Sequence, residues 1–375
     1  MSEWQNFKLR EVGTLQRGRS RHRPRYAFHL FNGPYPFIQT GEVREARKYV
    51  STFENTYSEA GLAQSKLWPK GTLCITIAAN IAELAILGFD ACFPDSVLGF
   101  IPDETRSDLD FVYYTLTHFQ KQLKHIGEGS VQDNINLGTF EDIEFPFPSL
   151  PEQKAIASVL SSLDDKIDLL HRQNRTLEAM AETLFRQWFI EEAKEDWEVS
   201  PLGDVVKIAY GKNLPTSRLL DSGYPVFGGN GQIGFYDRFL YSEPQVLVSC
   251  RGEASGKVNI SLPNSFITNN SLVLERKENG ISFEYLKFYA LVYDFGLHVS
   301  GSAQPQITID GLFNAEFRWP PLDLVESFTE VVRPLEDKRL TNYIQIQTLE
   351  NLRDTLLPKL MSGEVRVQYQ TEEVA

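Results

Sequence analysis

Several stretches of this chain place residue types at spacings that invite chemistry, yet none completes a catalytic set. The string FGGNG, Phe227 to Gly231, fits the F-x-G-x-G pattern of a loop that cradles S-adenosylmethionine. An amino-methyltransferase would also need an Asn/Asp-Pro-Pro-aromatic element for the target amine, and the Pro-Pro pair here, Pro320-Pro321, sits between Trp319 and Leu322. A turn is the better reading. The run GEASGKV is one residue short of a phosphate-binding loop and lacks the Ser or Thr that would hold magnesium. Pro94-Asp95 and Pro102-Asp103 could begin a nuclease site, but no Glu-x-Lys follows at a workable distance. Cys74, Cys92 and Cys250 lie far apart without a C-x-x-C, so they read as buried small apolar residues rather than a disulfide or zinc framework. No catalytic residue, metal site or bound cofactor is expected on this chain.

What remains is the chemistry of binding. The segment RGRSRHRPR sets Arg17, Arg19, Arg21, Arg23 and Arg25 within nine positions, with almost no neighbouring acid. Such a run calls for an anionic partner. Loops add residues whose side chains suit base edges and phosphates. They are Gln132 and Asn134 in GEGSVQDNIN, Lys212 after Gly211, Asn230 and Gln232 in GGNGQ, Arg251 and Lys257 in CRGEASGK, and Gln304 and Gln306 in SGSAQPQIT. The net charge of −13 argues on its face against nucleic acid. Its distribution argues otherwise: residues 1–50 hold ten Arg or Lys against four acids, whereas 200–320 hold ten against eleven. An acidic surplus elsewhere suits a subunit that docks to larger partners and must not cling to DNA along its whole surface.

These loops must be carried by a scaffold, and the scaffold is written twice. Ser130 to Leu184 realigns without a gap on Ser302 to Leu356 at an offset of 172, matching Gln132/Gln304, Ile135/Ile307, Phe145/Phe317, Pro148/Pro320 and Asp165-Lys166/Asp337-Lys338. A fainter echo places Trp4, Leu9, Val12 and Gly18 at 193 residues before Trp197, Leu202, Val205 and Gly211. Each copy holds short β-branched and aromatic runs, TLCITIA, AELAILGF and SVLGFIP in one, QVLVSC, KVNISL and SLVLER in the other. Helix-like segments follow, DFVYYTLTHFQKQL and SFEYLKFYALVY. The fold class is therefore α+β: two similar α/β domains with dissimilar middles, each on a curled mixed sheet.

Between and after them run two long helices. Ile156, Leu160, Leu163, Ile167, Leu170, Asn174, Leu177, Ala181 and Leu184 form a heptad seam, and Phe328, Val332, Leu335, Ile346, Leu349 and Leu356 supply its partner. Arg339, Asn342 and Arg353 interrupt that second stripe, and Pro334 should kink the helix or mark its real start. Connectivity asks for an antiparallel pair with a domain at each end, related by a pseudo-two-fold axis. Roughly 40 residues at about 1.5 Å each span about 60 Å at most, close to two turns of DNA, as dimeric readers span two half-sites. Asn174 in an apolar seam would fix register. The expected divisions are 1–150 and 196–321 for the recognition domains, 151–195 and 322–365 for the helices, and 366–375 for a tail. With no apolar run near 18 residues and no secretion signal at MSEWQNFKLR, a cytoplasmic protein without a membrane span is expected.

The stretches FPFPSLPEQKAIASVLSSLDDKIDLLHRQNRTLEAMAETLFRQWF and RDTLLPKLMSGEV resemble the central and distal regions of specificity subunits of type I restriction-modification systems. The resemblance covers essentially the whole chain. It implies two target-recognition domains on antiparallel coiled-coil helices, each reading one half of a split, asymmetric double-stranded DNA site. It also implies two methyltransferase subunits that carry S-adenosylmethionine and methylate adenine, docked on exposed faces of 152–192 and 323–363. Two restriction subunits that use ATP and Mg would complete the assembly. A different reading is a non-catalytic coiled-coil scaffold presenting two protein-binding modules, with the arginine segment incidental. A third, an enzyme fused to its own specificity domains, lacks the motifs it needs.

Overall fold

In the computed structural model residues 4–22, 24, 26–78, 81–128, 142–278, 280–301 and 304–368 are described. They form two compact units, Met1–Leu170 with Ile344–Ala375, and His171–Tyr343.

In the first unit the strand Gln5–Lys8 pairs antiparallel with Glu144–Phe147, closing the start of the domain on its end. A single helical turn, Leu9–Val12, then leads into Gly13–Arg17. That strand edges a five-stranded sheet in the order Gly13–Arg17, Val97–Pro102, Leu73–Thr76, Leu84–Leu87, Tyr49–Val50. Every residue of Leu73–Thr76 and Leu84–Leu87 is buried, which is why these runs read as continuous rather than alternating apolar sequence. A second sheet orders Asn55–Tyr57, Phe31–Phe37, Ala91–Cys92 and Leu67–Trp68. The helix Leu109–Glu128 starts where Asp108 Oδ1 accepts the Phe111 amide at 3.0 Å, and it seals the larger sheet with Phe111, Val112 and Leu116.

The second unit repeats this plan. Val199–Pro201 pairs with Glu316–Arg318, Leu202–Val205 turns, and Val206–Tyr210 edges a sheet in the order Val206–Tyr210, Ser271–Arg276, Val246–Ser249, Val258–Ile260. Ser282 caps Phe283–Val292 by accepting the Tyr285 amide at 3.1 Å, the station that Asp108 holds in the first unit. The parallel pairing of Phe31–Phe37 with Ala91–Cys92 recurs as Tyr224–Gly228 with Phe266–Ile267. The middles thus differ in sequence while keeping these strand pairings. All six expected strands are present in a mixed α+β arrangement, and the FGGNG string is a hairpin turn between Tyr224–Gly228 and Gly231–Tyr236.

The two long helices are Leu150–Arg186 and Leu322–Met361. Pro334 lies inside the second one, so of the two outcomes its missing amide allowed it does not mark the start. Within each unit ascending residues on one helix meet descending residues on the other. Ile167 and Leu170 cluster with Ile346 and Leu349 in the first unit, and Asn174 meets Asn342 in the second. The seam is only partly coiled coil. Ile156 and Leu160 belong to the first domain's own core with Leu360 and Met361, while Ala181, Phe328 and Val332 belong to the second core. There Phe185, Phe189, Tyr285 and Phe328 interlock with ring centroids 4.7–5.8 Å apart. Each such buried ring stabilises by about 2–3 kcal/mol, which fastens recognition domain to helix. Among the described residues no helix is long and apolar enough to cross a membrane.

Candidate nucleic-acid interface

The repeat brings one device to the same place in both units. Gly18 donates its amide to the Val97 carbonyl at 2.8 Å, and Arg19 donates to the Phe93 carbonyl at 3.0 Å. In the second unit Gly211 donates to Ser271 at 3.2 Å and Lys212 to Ile267 at 2.9 Å. A Cβ on Gly18 would stand 2.3 Å from the Pro94 oxygen, and one on Gly211 would stand 2.2 Å from that of Thr268. The absent side chain lets the backbone press against the neighbouring loop, and the next residue, an exposed cation, is carried at a fixed station. Arg19 and Lys212 are therefore structural equivalents.

In the first unit Arg17, Arg19 and Arg21 are all exposed. The Arg17 Nε donates to the Asp95 carbonyl. The segment is an ordered ledge, because Ser65 Oγ donates to the Arg19 carbonyl at 2.8 Å and the His22 amide to Gln64 Oε1 at 3.0 Å. Lys66 joins it, its Nζ donating to Gln16 Oε1 at 2.7 Å and lying 3.6 Å from the centre of the Trp68 ring. Partial burial lowers the Lys66 pKa, and the nearby Arg19 lowers it further. Arg23, Arg25, Gln132 and Asn134 lie outside the described residues.

In the second unit shared backbone hydrogen bonds place several candidates on one rim. The Lys212 carbonyl accepts the Asn269 amide at 3.1 Å, and the Asn270 carbonyl accepts that of Cys250 at 3.0 Å. Arg251 is bridged to Gln306, with the Gly252 amide donating to the Pro305 carbonyl at 2.9 Å. Ser249 Oγ and Asn259 Nδ2 both donate to the Gly229 carbonyl, holding the hairpin turn that exposes Asn230. Lys212, Asn230, Arg251 and Gln306 thus converge, and Gln304 and Lys257 are exposed on the flanking turns. Gln232 is directed elsewhere, its Oε1 accepting from the Tyr343 hydroxyl of the distal helix at 3.5 Å. Asn269, Asn270 and Lys66 were missed from sequence. The loop Thr268-Asn269-Asn270 could have been found only by aligning it with Pro94-Asp95-Ser96, where the two copies share no residue.

The two long helices carry polar layers where the second stripe looked interrupted. Asn342, fully buried, donates to Asn174 Oδ1 at 2.9 Å, and Asn174 donates to the Arg339 carbonyl at 3.3 Å. Arg339 bonds Glu178 at 2.6 Å and Glu336 at 2.9 Å; Arg353 bonds Asp164 at 2.8 Å. The interruptions are therefore matched across the pair rather than tolerated. Leu163, Leu177, Leu184, Leu335 and Leu356 are half-buried along the same seam. In each unit an acid on the helix also grips the recognition domain: Asp164 accepts from the Tyr114 hydroxyl at 2.6 Å, and Glu336 pairs with the buried Lys287 at 2.6 Å. Burial, aided by Asp164, drives the Tyr114 hydroxyl far above its ordinary range. Burial lowers the Lys287 pKa while Glu336 opposes the shift. All three cysteines are buried, and burial pushes the Cys92 thiol up to about 11. Among the described residues no group of His, Cys, Asp or Glu could hold a metal ion.

Comparison with known proteins places this arrangement. The sequence model described as "Type I restriction modification DNA specificity domain" matches residues 1–179 and again 194–347. The type I restriction enzyme MjaIX specificity subunit of Methanocaldococcus jannaschii is 27% identical, over 98% of this chain and 94% of that protein. The EcoprrI specificity subunit of Escherichia coli is 21% identical over 92% and 94%. A crystal structure of a type I restriction-modification system S subunit from M. genitalium shares the fold, with a TM-score of 0.66 at 20% identity and coverage of 99% and 97%. With its domain model matched twice along most of its length, the chain belongs to the type I restriction-modification DNA specificity family.

Proposed function

We propose that this chain is the DNA-reading subunit of a type I restriction-modification complex and binds a bipartite, asymmetric site, one half per recognition domain. The observation that carries the proposal is the repeated glycine-cation station, Gly18-Arg19 and Gly211-Lys212, set in two domains of one plan whose surrounding loops differ. Equivalent cations on equivalent backbone fix each domain against phosphates, while unlike loops read unlike bases. Arg17, Arg19, Arg21 and Lys66 serve the first half-site. Lys212, Asn230, Arg251, Gln306 and Asn269–Asn270 serve the second.

The chain itself does no covalent chemistry in this reading. Two methyltransferase subunits bring S-adenosylmethionine and modify adenine; two restriction subunits bring ATP and Mg and cut. Exposed faces of 152–192 and 323–363 dock the methyltransferase subunits, which share the phosphate neutralisation that an acidic specificity subunit cannot supply alone. The antiparallel helices set the gap between half-sites, and the complex works in the cytoplasm. The test is genome-wide adenine methylation by single-molecule sequencing, with and without this chain, in cells holding the cognate methyltransferase subunit. A new split motif with two unlike halves is expected. An assembled complex that yields no motif would overturn the proposal in favour of an interaction scaffold.

A further inference from the structure

The two units differ at one edge. In the first, the segment between Phe31–Phe37 and Asn55–Tyr57 adds a helix, Thr40–Glu45, and a strand, Tyr49–Val50, that completes the five-stranded sheet. That strand runs parallel to Leu84–Leu87, with Ile86 and Gly88 donating their amides to the Lys48 and Val50 carbonyls at 2.8 and 3.1 Å. Lys48, nearly fully buried, reaches Asp110 at 3.0 Å and Ser161 at 2.9 Å. In the second unit the segment is replaced by the tight turn at Gly229-Asn230, and the sheet stops at Val258–Ile260.

The repeat defines what the missing strand would have touched. Leu73 opposite Ile86 corresponds to Val246 opposite Ile260, so Ile260 and Leu262 stand where Ile86 and Gly88 donate. Ser249 and Ser261 bond across the ladder to Lys257 and Gln245, and the antiparallel alternation therefore turns the Ile260 amide outward. Outside this edge lies a cleft of about 740 Å³ with a mixed lining: Ile260, Leu262 and Phe283 are apolar, Glu284 is joined by the acids Glu178, Glu243, Glu336 and Asp337, and Lys287, Arg333 and Arg339 are among its cations. Glu284 occupies the position of Asp110, two residues beyond the helix cap in both units. One of its oxygens pairs with Arg333 at 2.9 Å; the other, Oε2, has no hydrogen-bond partner among the described residues although the residue is only 7% exposed.

We propose that this cleft is a docking site for an extended segment of a partner polypeptide, which adds a parallel strand to Val258–Ile260 and places a lysine at Glu284 Oε2. The occupant's chemistry is given by the chain's own first unit: a lysine, then an aromatic and a β-branched residue, as in Lys48-Tyr49-Val50. Main-chain bonds to the edge supply affinity, and Glu284, the acidic surplus of the lining and its apolar part at Ile260, Leu262 and Phe283 select the side chains. The first domain is closed to such a partner because it carries the strand itself, so the docking is one-sided.

The test uses the full chain and a synthetic peptide with the sequence of residues 46–53, ARKYVSTF, as the probe. Amide hydrogen exchange of Ile260 and Leu262 is followed alongside calorimetric titration. Both amides are expected to exchange freely in the chain alone and to become protected when peptide binds. A peptide with Lys48→Gln should bind about tenfold more weakly, the scale of one charge-assisted hydrogen bond. The Glu284→Gln protein should show the same loss and be indifferent to the peptide's lysine. Protection of both amides in the chain alone would overturn the proposal, since the edge would already be covered. Peptide binding without a change at Ile260 and Leu262, or no binding, would overturn it equally.

Discussion

Substituting Gly211 by Ala should damage one half of the DNA readout and spare the other. The new Cβ would sit 2.2 Å from the Thr268 oxygen and 2.5 Å from that of Ile267, both backbone atoms. Non-bonded carbon settles beyond 3 Å, so the strand and loop must part by roughly 1 Å. That motion strains three hydrogen bonds, Gly211 to Ser271, Lys212 to Ile267 and Asn269 to Lys212. At about 1 kcal/mol net for each, the local structure loses about 2–3 kcal/mol. Lys212 and the Asn269–Asn270 turn leave their station together, and restoring about 2 kcal/mol on binding weakens the complex roughly 30-fold. Fluorescence anisotropy of the assembled methyltransferase complex on a site with either half scrambled measures this directly. Discrimination should fall at the half read by the second domain alone, and Gly18→Ala should mirror it at the other. Equal loss at both halves, or affinity unchanged within twofold, would refute the assignment of this station to DNA contact.

Other consequences are open to measurement. Arg19→Ala and Lys212→Ala should each lower the slope of log affinity against log salt by about 1, without changing the motif; an unchanged slope would remove either cation from the phosphate set. Asn342→Leu should destabilise by about 1–3 kcal/mol in urea unfolding because Asn174 Oδ1 loses its donor. The double leucine variant should recover that loss while loosening register, seen as a methylation motif with mixed gap lengths. Partial burial lowers the His118 pKa from 6.5. The unfolded chain then binds more protons than the folded one just below that value, so stability should fall as pH drops through about 6.5, and His118→Gln should flatten that limb.

Much of the frame was legible because it was duplicated. A shared apolar pattern and the matched Phe145/Phe317 and Asp165-Lys166/Asp337-Lys338 pairs fix the elements without any knowledge of contacts. The buried strands were legible because continuous apolar runs leave few alternatives. Gly13–Arg17 was not, since Leu15 alone is buried on this edge strand and GTLQR reads as polar loop. Arg339, Asn342 and Arg353 looked like breaks in a stripe because a linear pattern cannot show that Glu178, Asn174 and Asp164 face them. The echo that sets Gly18 on Gly211 already sets Arg19 on Lys212, but only the backbone shows that both pairs donate to the same two stations of the neighbouring loop. Pro334 allowed either a kink or a helix start, and the start is excluded because Val332 and Leu335 on either side of it pack on the second core within one continuous helix.

The first unit is discontinuous: it draws on Ile344–Ala375 as well as on the first 170 residues, and Leu360 and Met361 are part of its core. Arg353 reaches Asp164, and Arg366 reaches the buried Glu152 at 2.6 Å. The second unit, His171–Tyr343, is a single stretch. On the ribosome the order of completion is therefore the reverse of the order of synthesis. The later domain has all its parts while the chain is still growing, whereas the earlier one waits with an open core for the final turns of the distal helix. A premature stop near the end would leave the second domain whole and cripple the first.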